Sequence, residues 1–422
     1  MTTDLTRFTQ WAAERPQRRY TALMGMLSDP EGLAESFHRQ KARKAPGVDG
    51  VKKIDYEQGL EVRLLDLSAR LRRMGYRPKP ARRVYIPKLS GKGMRPLGLP
   101  SFEDRIVEDR LSRILQAIWE PEFRDCSYGF RPGRSAHQAL ARLEHIITVE
   151  RTQWVCEVDV RNYFGSVTHE HMERFLAHRI GDSNLLRLIQ RFLKAGVMEE
   201  GAISATDQGT PQGNLVSPVL DVWFERRFAR QCRGKAFMVR FADDFAACFE
   251  FEDDARAFER SLKERLRSFG LEVEPTKTAL IRFGNMAPIL CKRDGLKKPS
   301  TFSFLGFTHY LRVWRNGRIV LSRKTEAARM RRKLTDLGRR LKSMRTEGAR
   351  AMQRYTLQHW WGHLQYFGVR GNFRSLGRYF FQVRHLLFKW LNRRSQRRSF
   401  NWTCVDTWLR TWMPPPRIVH AL

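Results

Sequence analysis

Apolar positions along the chain change period several times, and each change marks an element. Trp11, Tyr20, Leu23, Met24, Leu27, Leu33 and Phe37 are spaced for short helices, with breaks expected near Pro16 and Pro30. Residues 57–75 predict an amphipathic helix with a heavily basic face. The proline-punctuated stretch 77–87 reads as extended, with strands at 82–86 and 95–99. A stripe of Ile106, Val107, Leu111, Ile114, Leu115 and Ile118 predicts a core-facing helix over 103–123, and a further helix runs over 136–150, with His137 and His145 as surface or capping residues. Strand-like alternation appears at 154–160, ending at Asp159, and an otherwise apolar, strand-like run at 237–249 carries Asp243-Asp244 between two apolar stretches. That second pattern predicts a β-hairpin with two carboxylates at its tip. Between these strands lies a loop of Gly, Pro and small polar residues, 208–218, leading into a helix-like run at 219–224. A helix over 253–268 follows, then a β-turn segment at 302–307. From Lys324 the pattern is helical and arginine-rich, at 324–345, 349–368 and 372–392.

A chain of 422 residues, 42% hydrophobic, has room for two or three domains with a sizeable core. Its charge narrows the choice of partner. With 78 basic residues against 44 acidic, net +34 and a pI near 10.8, it carries far more positive charge than solubility needs, and nucleic acid is the expected partner. A membrane surface is the rival, but no apolar run approaches the roughly 18–20 residues of a spanning helix, and the first residues lack a signal-peptide core. A cytoplasmic location with no membrane partner is expected. The six cysteines, at 126, 156, 232, 248, 291 and 404, include no Cys-x-x-Cys pair, so neither a zinc site nor a disulfide framework is indicated.

Candidate chemistry centres on the acids. An ionised carboxylate in an apolar strand costs several kcal/mol unless something pairs with it, and a divalent cation would relieve Asp243 and Asp244 together. An ordinary acidic turn is the competing reading. A second strand ending in Asp159 shifts the balance, because laying it beside the hairpin would bring Asp159 and Asp243 to one oxygen-rich pocket. Mg²⁺ prefers such a pocket, with substrate phosphates completing its octahedron. The pair implies phosphoryl transfer. Lys88 and Arg95 flank a flexible turn at 90–94, where a hairpin could aim both cations at one polyanionic group.

The ordered set of a strand-end Asp159, Thr210-Pro-Gln-Gly213, Phe241-Ala-Asp-Asp244 and Phe302-Ser-Phe-Leu-Gly-Phe307 resembles a reverse transcriptase. More narrowly, the chain resembles proteins encoded by bacterial group II introns. Gly47-Val-Asp-Gly50, Tyr85-Ile-Pro-Lys88, Met94-Arg-Pro-Leu-Gly-Leu-Pro100, Asp104-Arg-Ile-Val107, Ser127-Tyr-Gly-Phe-Arg-Pro-Gly-Arg134 and His359-Trp-Trp-Gly-His-Leu-Gln-Tyr-Phe367 carry that likeness across about residues 40–400. The cysteine pairs of the family's C-terminal endonuclease domain are missing, so the endonuclease-lacking type is expected. The resemblance implies an α+β, right-hand polymerase with fingers and an antiparallel palm sheet, followed by an α-helical thumb/maturase domain. Its divisions would be an N-terminal extension (1–40) packed on the fingers, fingers and palm (41–320), thumb/maturase (321–391) and a short basic DNA-binding tail (392–422).

The same resemblance implies catalytic Asp159, Asp243 and Asp244. These and the Val160 carbonyl would hold two Mg²⁺ ions about 3.5–4 Å apart, with Asp244 mainly supporting geometry. Lys88 and Arg95 would cradle the triphosphate, and Gln212 and Gly213 would contact nucleotide or template. Phe164 would pack under the sugar and disfavour a 2′-hydroxyl, and Lys277 would protonate the departing pyrophosphate. Arg131 and Arg134 would line the template path, Phe304 and Gly306 would grip the primer end, and Arg393 and Arg394 would contact DNA. Phe241 stands where the family usually has Tyr, and activity is expected to survive. The implied function is an RNA-directed DNA polymerase that uses dNTPs, an RNA template (group II intron RNA) and a DNA primer or target, and that assists splicing. The alternatives are a group-II-like reverse transcriptase in host defence or repair, and an RNA-binding splicing cofactor with a vestigial polymerase site.

Overall fold

The computed structural model describes residues 5–87, 93–150, 152–161, 166–199, 202–204, 222–274, 278–394 and 400–421. Its first helices, Leu5–Glu14, Leu23–Leu27 and Pro30–Arg39, pack against the long helix Phe102–Trp119. The helices break near Pro16 and Pro30 as expected, and Pro30 itself opens the next helix. It sits at the first helical position, where a missing N–H costs nothing, and Asp29 caps the turn by accepting from Gly32 N–H. The helix expected over 57–75 is shorter, Leu60–Arg72, starting after a left-handed Gly59.

Strands β1 (Ala81–Pro87) and β2 (Met94–Leu99) form an antiparallel hairpin. The chain returns through β3 (Trp154–Asp159) to β4 (Val197–Glu199) and β5 (Ala202–Ser204), and β4 joins β1 in parallel to give a sheet of order β2-β1-β4-β5. Strands β6 (Ala236–Phe241), β7 (Asp244–Phe249) and β8 (Ala279–Arg282) join β3 in an antiparallel sheet of order β6-β7-β3-β8. Cys156, Val158, Phe245, Ala247 and Phe249 face one core, shared with Phe258 and Leu262 of the helix Glu252–Arg267. Val155, Val239, Ala246, Cys248 and Ile281 face a second core, shared with the helix Ala136–Val149. A sheet covered on both faces carries apolar residues at nearly every position, which is why these strands read as apolar runs.

A third sheet, of order β11-β10-β9, is built from β9 (Phe302–Phe304), β10 (Phe307–Val313) and β11 (Ile319–Thr325). The expected turn at 302–307 is therefore the tight link of two strands. The helix expected from Lys324 begins at Ala327, because Lys324 and Thr325 pair with β10. Helices Ala327–Ser343, Ala349–Phe367 and Phe373–Leu391 bundle around Leu337, Leu341, Trp360, Leu364, Tyr379 and Val383.

The last segment, expected as a basic tail, completes this bundle. The helix Trp402–Trp412 buries Val405 and Leu409, Trp360 Nε1 donates to the Pro414 carbonyl at 2.8 Å, and the N–H groups of Val419 and His420 reach the Gly368 carbonyl. All six cysteines are free. Among the described residues no helix is long and apolar enough to cross a membrane.

Candidate active site

The register of the central sheet assembles the acids. Asp159 pairs directly with Asp244 across β3 and β7, so both side chains leave the same face, and Asp243 occupies the two-residue turn between β6 and β7. The other residue of that turn, Ala242, has φ 61°. A left-handed conformation at a non-glycine residue costs about 1–2 kcal/mol, so surrounding contacts must hold the turn in place.

Two sets of contacts do so. From behind, the segment 126–130 lies along the free edge of β6: Arg240 N–H donates to the Cys126 carbonyl and Tyr128 N–H to the Arg240 carbonyl, both at 2.8 Å. The Arg240 side chain, only 1% exposed, donates to the Ala242 carbonyl at 2.9 Å and to Ser127 Oγ at 2.8 Å. Gly129 fits this approach closely, since a Cβ there would lie 2.4 Å from the Ala242 nitrogen. From in front, Asp244 Oδ2 accepts from Leu305 N–H at 2.9 Å, and the Leu305 carbonyl accepts from Tyr366 Oη at 3.0 Å. Leu305 and Gly306 take φ of 52° and 77° to form this second turn. A chain of hydrogen bonds thus runs from the acidic turn to the helix Ala349–Phe367.

Glu157, on the same face as Asp159, was not singled out from the sequence. Its Oε1 accepts from Ser303 N–H at 3.1 Å, so β3 and β7 each hold one end of the 303–305 segment. The period-2 spacing Glu157-x-Asp159 was the available signal. Burial, then repulsion from Asp243, Glu326 and Asp159, pushes the Asp244 carboxyl up to about 7 against the pull of the Leu305 N–H. Burial likewise raises Glu157 to about 7, against the Ser303 N–H. Carboxylates gathered this way in a chain of net +34 make a local negative centre suited to a cation.

Residues 86–309 match the family described as reverse transcriptase (RNA-dependent DNA polymerase). The chain belongs to that family. Among its relatives is Protein YkfC of Escherichia coli (strain K12), 40% identical over 216 residues, 50% of this chain and 56% of that protein. Group II intron-encoded protein LtrA of Lactococcus lactis subsp. cremoris is 32% identical over 216 residues, 51% of this chain and 36% of that protein. The uncharacterized 91 kDa protein in cob intron of Schizosaccharomyces pombe is 36% identical over 186 residues, 44% of this chain and 23% of that protein. The matched stretch therefore spans little more than half of the first relative and less of the others. The resemblance to group II intron-encoded proteins is borne out by this company.

Other expected site residues of this reverse transcriptase fall in three groups. Lys88, Phe164, Gln212, Gly213 and Lys277 lie outside the described residues. Arg95 is exposed on β2 opposite Ile86, and Arg393 is exposed beside Trp390. The rest are engaged by neighbouring groups. Arg131 donates to Glu120 and to the Arg124 and Ser127 carbonyls and so shapes the loop behind the acidic turn. Arg134 pairs with Asp125 and lies over the Tyr128 ring. The Phe304 ring is buried in the second core. A Cβ at Gly306 would meet Arg329 Nε at 2.7 Å. Arg394 lies over the Phe400 ring. His137, expected at the surface or as a cap, is half-buried: Nε2 lies 3.0 Å from the Tyr366 carbonyl and its ring stacks on His420 at 3.7 Å.

Among the described residues no three His, Cys, Asp or Glu side chains converge as a complete metal-ligand set. Asp159, Asp243 and Asp244 are the side-chain candidates, with one Asp244 oxygen already accepting from Leu305 N–H. Backbone bonds Glu274 N–H to Asp159 carbonyl and Arg161 N–H to Glu272 carbonyl occupy the β8 side. The intervening Val160 carbonyl therefore points the other way, toward the acidic turn. A partial oxygen set fits Mg²⁺, which keeps sites open for water and substrate phosphates.

Proposed function

We propose that this chain is an RNA-directed DNA polymerase that copies RNA into cDNA by two-metal-ion nucleotidyl transfer and assists the splicing and mobility of a group II intron. The observation carrying the reading is the pairing of Asp159 with the braced Asp243-Asp244 turn on one sheet face. In right-hand terms the central sheet is the palm, the β1–β2 hairpin belongs to the fingers, and the helices from Ala327 are the thumb. Asp159, Asp243 and the Val160 carbonyl would hold Mg²⁺, which when bound lowers the barrier to attack by a primer 3′-hydroxyl and neutralises the triphosphate. Asp244 and Glu157 act through the 303–305 backbone, holding the turn against which the primer end is positioned. Arg95, with Lys88, supplies positive charge for the triphosphate. The splicing role is supported by the group II intron-encoded relative and by the arginine-rich helices. Partners on this reading are an RNA template, a DNA primer and dNTPs.

Primer extension on an RNA template with Mg²⁺ and four dNTPs tests this, comparing wild type with Asp243→Ala. Extension by wild type and its loss in a folded variant are expected. A folded, RNA-binding wild type that extends nothing would sink the polymerase reading.

A further inference from the structure

Strands β10 and β11 run on past the core that holds their near ends. Phe307 and His309 are buried, whereas Arg312 and Val313 are exposed, so the last pairs of the hairpin project into solvent. At the tip stands Trp314, 56% exposed beside Val313 at 58%. Trp is enriched at binding hot spots, where Leu and Val are under-represented.

The tip is well formed. Trp314 N–H donates to the Arg318 carbonyl, Gly317 N–H to the Trp314 carbonyl, and Arg318 N–H to Asn316 Oδ1. Gly317 takes the left-handed φ of 76° that closes such a loop. Arg312, Arg315 and Arg318 are all exposed and lie within four residues of Trp314 along the chain, and none of them is ion-paired among the described residues. Elsewhere in the chain many arginines are held by carboxylates, Arg131, Arg134, Arg323 and Arg384 among them. A rigid aromatic ring with three unneutralised guanidinium groups suits a nucleic acid, the ring stacking on a base and the arginines taking phosphates.

Position narrows the partner further. The hairpin starts at Phe307, next to the 305–306 turn that Asp244 holds, and runs seven residues, about 23 Å at strand rise. That distance corresponds to on the order of seven base pairs of duplex. Resting on the polymerase reading above, we propose that the 312–318 tip is a second nucleic-acid contact. It would engage the primer–template duplex about seven base pairs from the acidic turn, through Trp314 and the three arginines.

The test is equilibrium binding, without dNTPs, of the full chain to DNA-primer/RNA-template hairpins with stems of 5 or 15 base pairs. The proteins compared are wild type, Trp314→Ala, Trp314→Tyr and a triple Arg→Gln variant at 312, 315 and 318. Trp314→Ala is expected to weaken the 15-base-pair complex on the order of tenfold while leaving the 5-base-pair complex unchanged, and Trp314→Tyr to restore most of the loss. The triple variant should reduce the slope of log K against log salt by about 2 to 3 on the long stem only. Equal affinity of all four proteins for the long stem would overturn the proposal, and so would equal weakening on both stems. Either result leaves wild-type extension intact, whereas failure of the polymerase reading shows as absent extension with stem-length-dependent binding preserved.

Discussion

His363 offers a sharp test of how the C-terminal helices are held. It is fully buried, stacked on Tyr379 at 3.6 Å with planes 10° apart and against Phe367 at 4.6 Å, and neither ring nitrogen has a hydrogen-bond partner among the described residues. Burial, with nearby Lys333 and His359, pushes its pKa down to about 2. A base whose folded pKa lies below its unfolded value of about 6.5 binds fewer protons folded than unfolded, so stability falls as pH drops below 6.5. At pH 5 the unfolded-state protonation of this one residue costs RT ln(1 + 10^1.5), about 2 kcal/mol, and at pH 8 almost nothing. His363→Phe keeps the stack and removes the proton. Urea unfolding followed by tryptophan fluorescence is expected to show the variant gaining about 2 kcal/mol on wild type between pH 8 and pH 5. His359, pushed down to about 4 by burial, titrates in both proteins and cancels in the comparison. A wild-type-to-variant difference that is the same at both pH values would refute the argument.

Three further outcomes test the bracing of the site. Gly129→Ala places a Cβ 2.4 Å from the Ala242 nitrogen, so extension should fall at least tenfold with circular dichroism unchanged; wild-type activity would mean that the turn yields freely. Arg240→Met leaves the Ala242 carbonyl and Ser127 Oγ without their donor, and a loss of about 2–4 kcal/mol in urea stability is expected; a loss under 0.5 kcal/mol would contradict this. Tyr366→Phe removes only the bond to the Leu305 carbonyl, so the primer KM should rise severalfold with kcat nearly unchanged, and a kcat loss at constant KM would assign Tyr366 elsewhere.

What the sequence disclosed and what it withheld divide along contact distance. Period and turn chemistry are local, so the hairpin around Asp243, the strand ending at Asp159 and the helix stripe through Ile106 and Ile114 were legible, with boundaries off by a few residues. The acidic character of the site was legible too, because a carboxylate in an apolar strand is anomalous wherever it occurs. The partners of the arginines were not. Arg131 stands in a glycine-rich loop that by resemblance lines a nucleic-acid path, yet it is held by Glu120 within its own fold. A one-dimensional charge pattern cannot separate a guanidinium facing solvent from one facing its own fold. Arg312, Arg315 and Arg318 are the converse case, ordinary in sequence and set apart only because the hairpin exposes them with no ion pair among the described residues. In a chain of net +34, the arginines available to a polyanion are those the fold has left unpaired, and their positions, more than their number, determine where a duplex can lie.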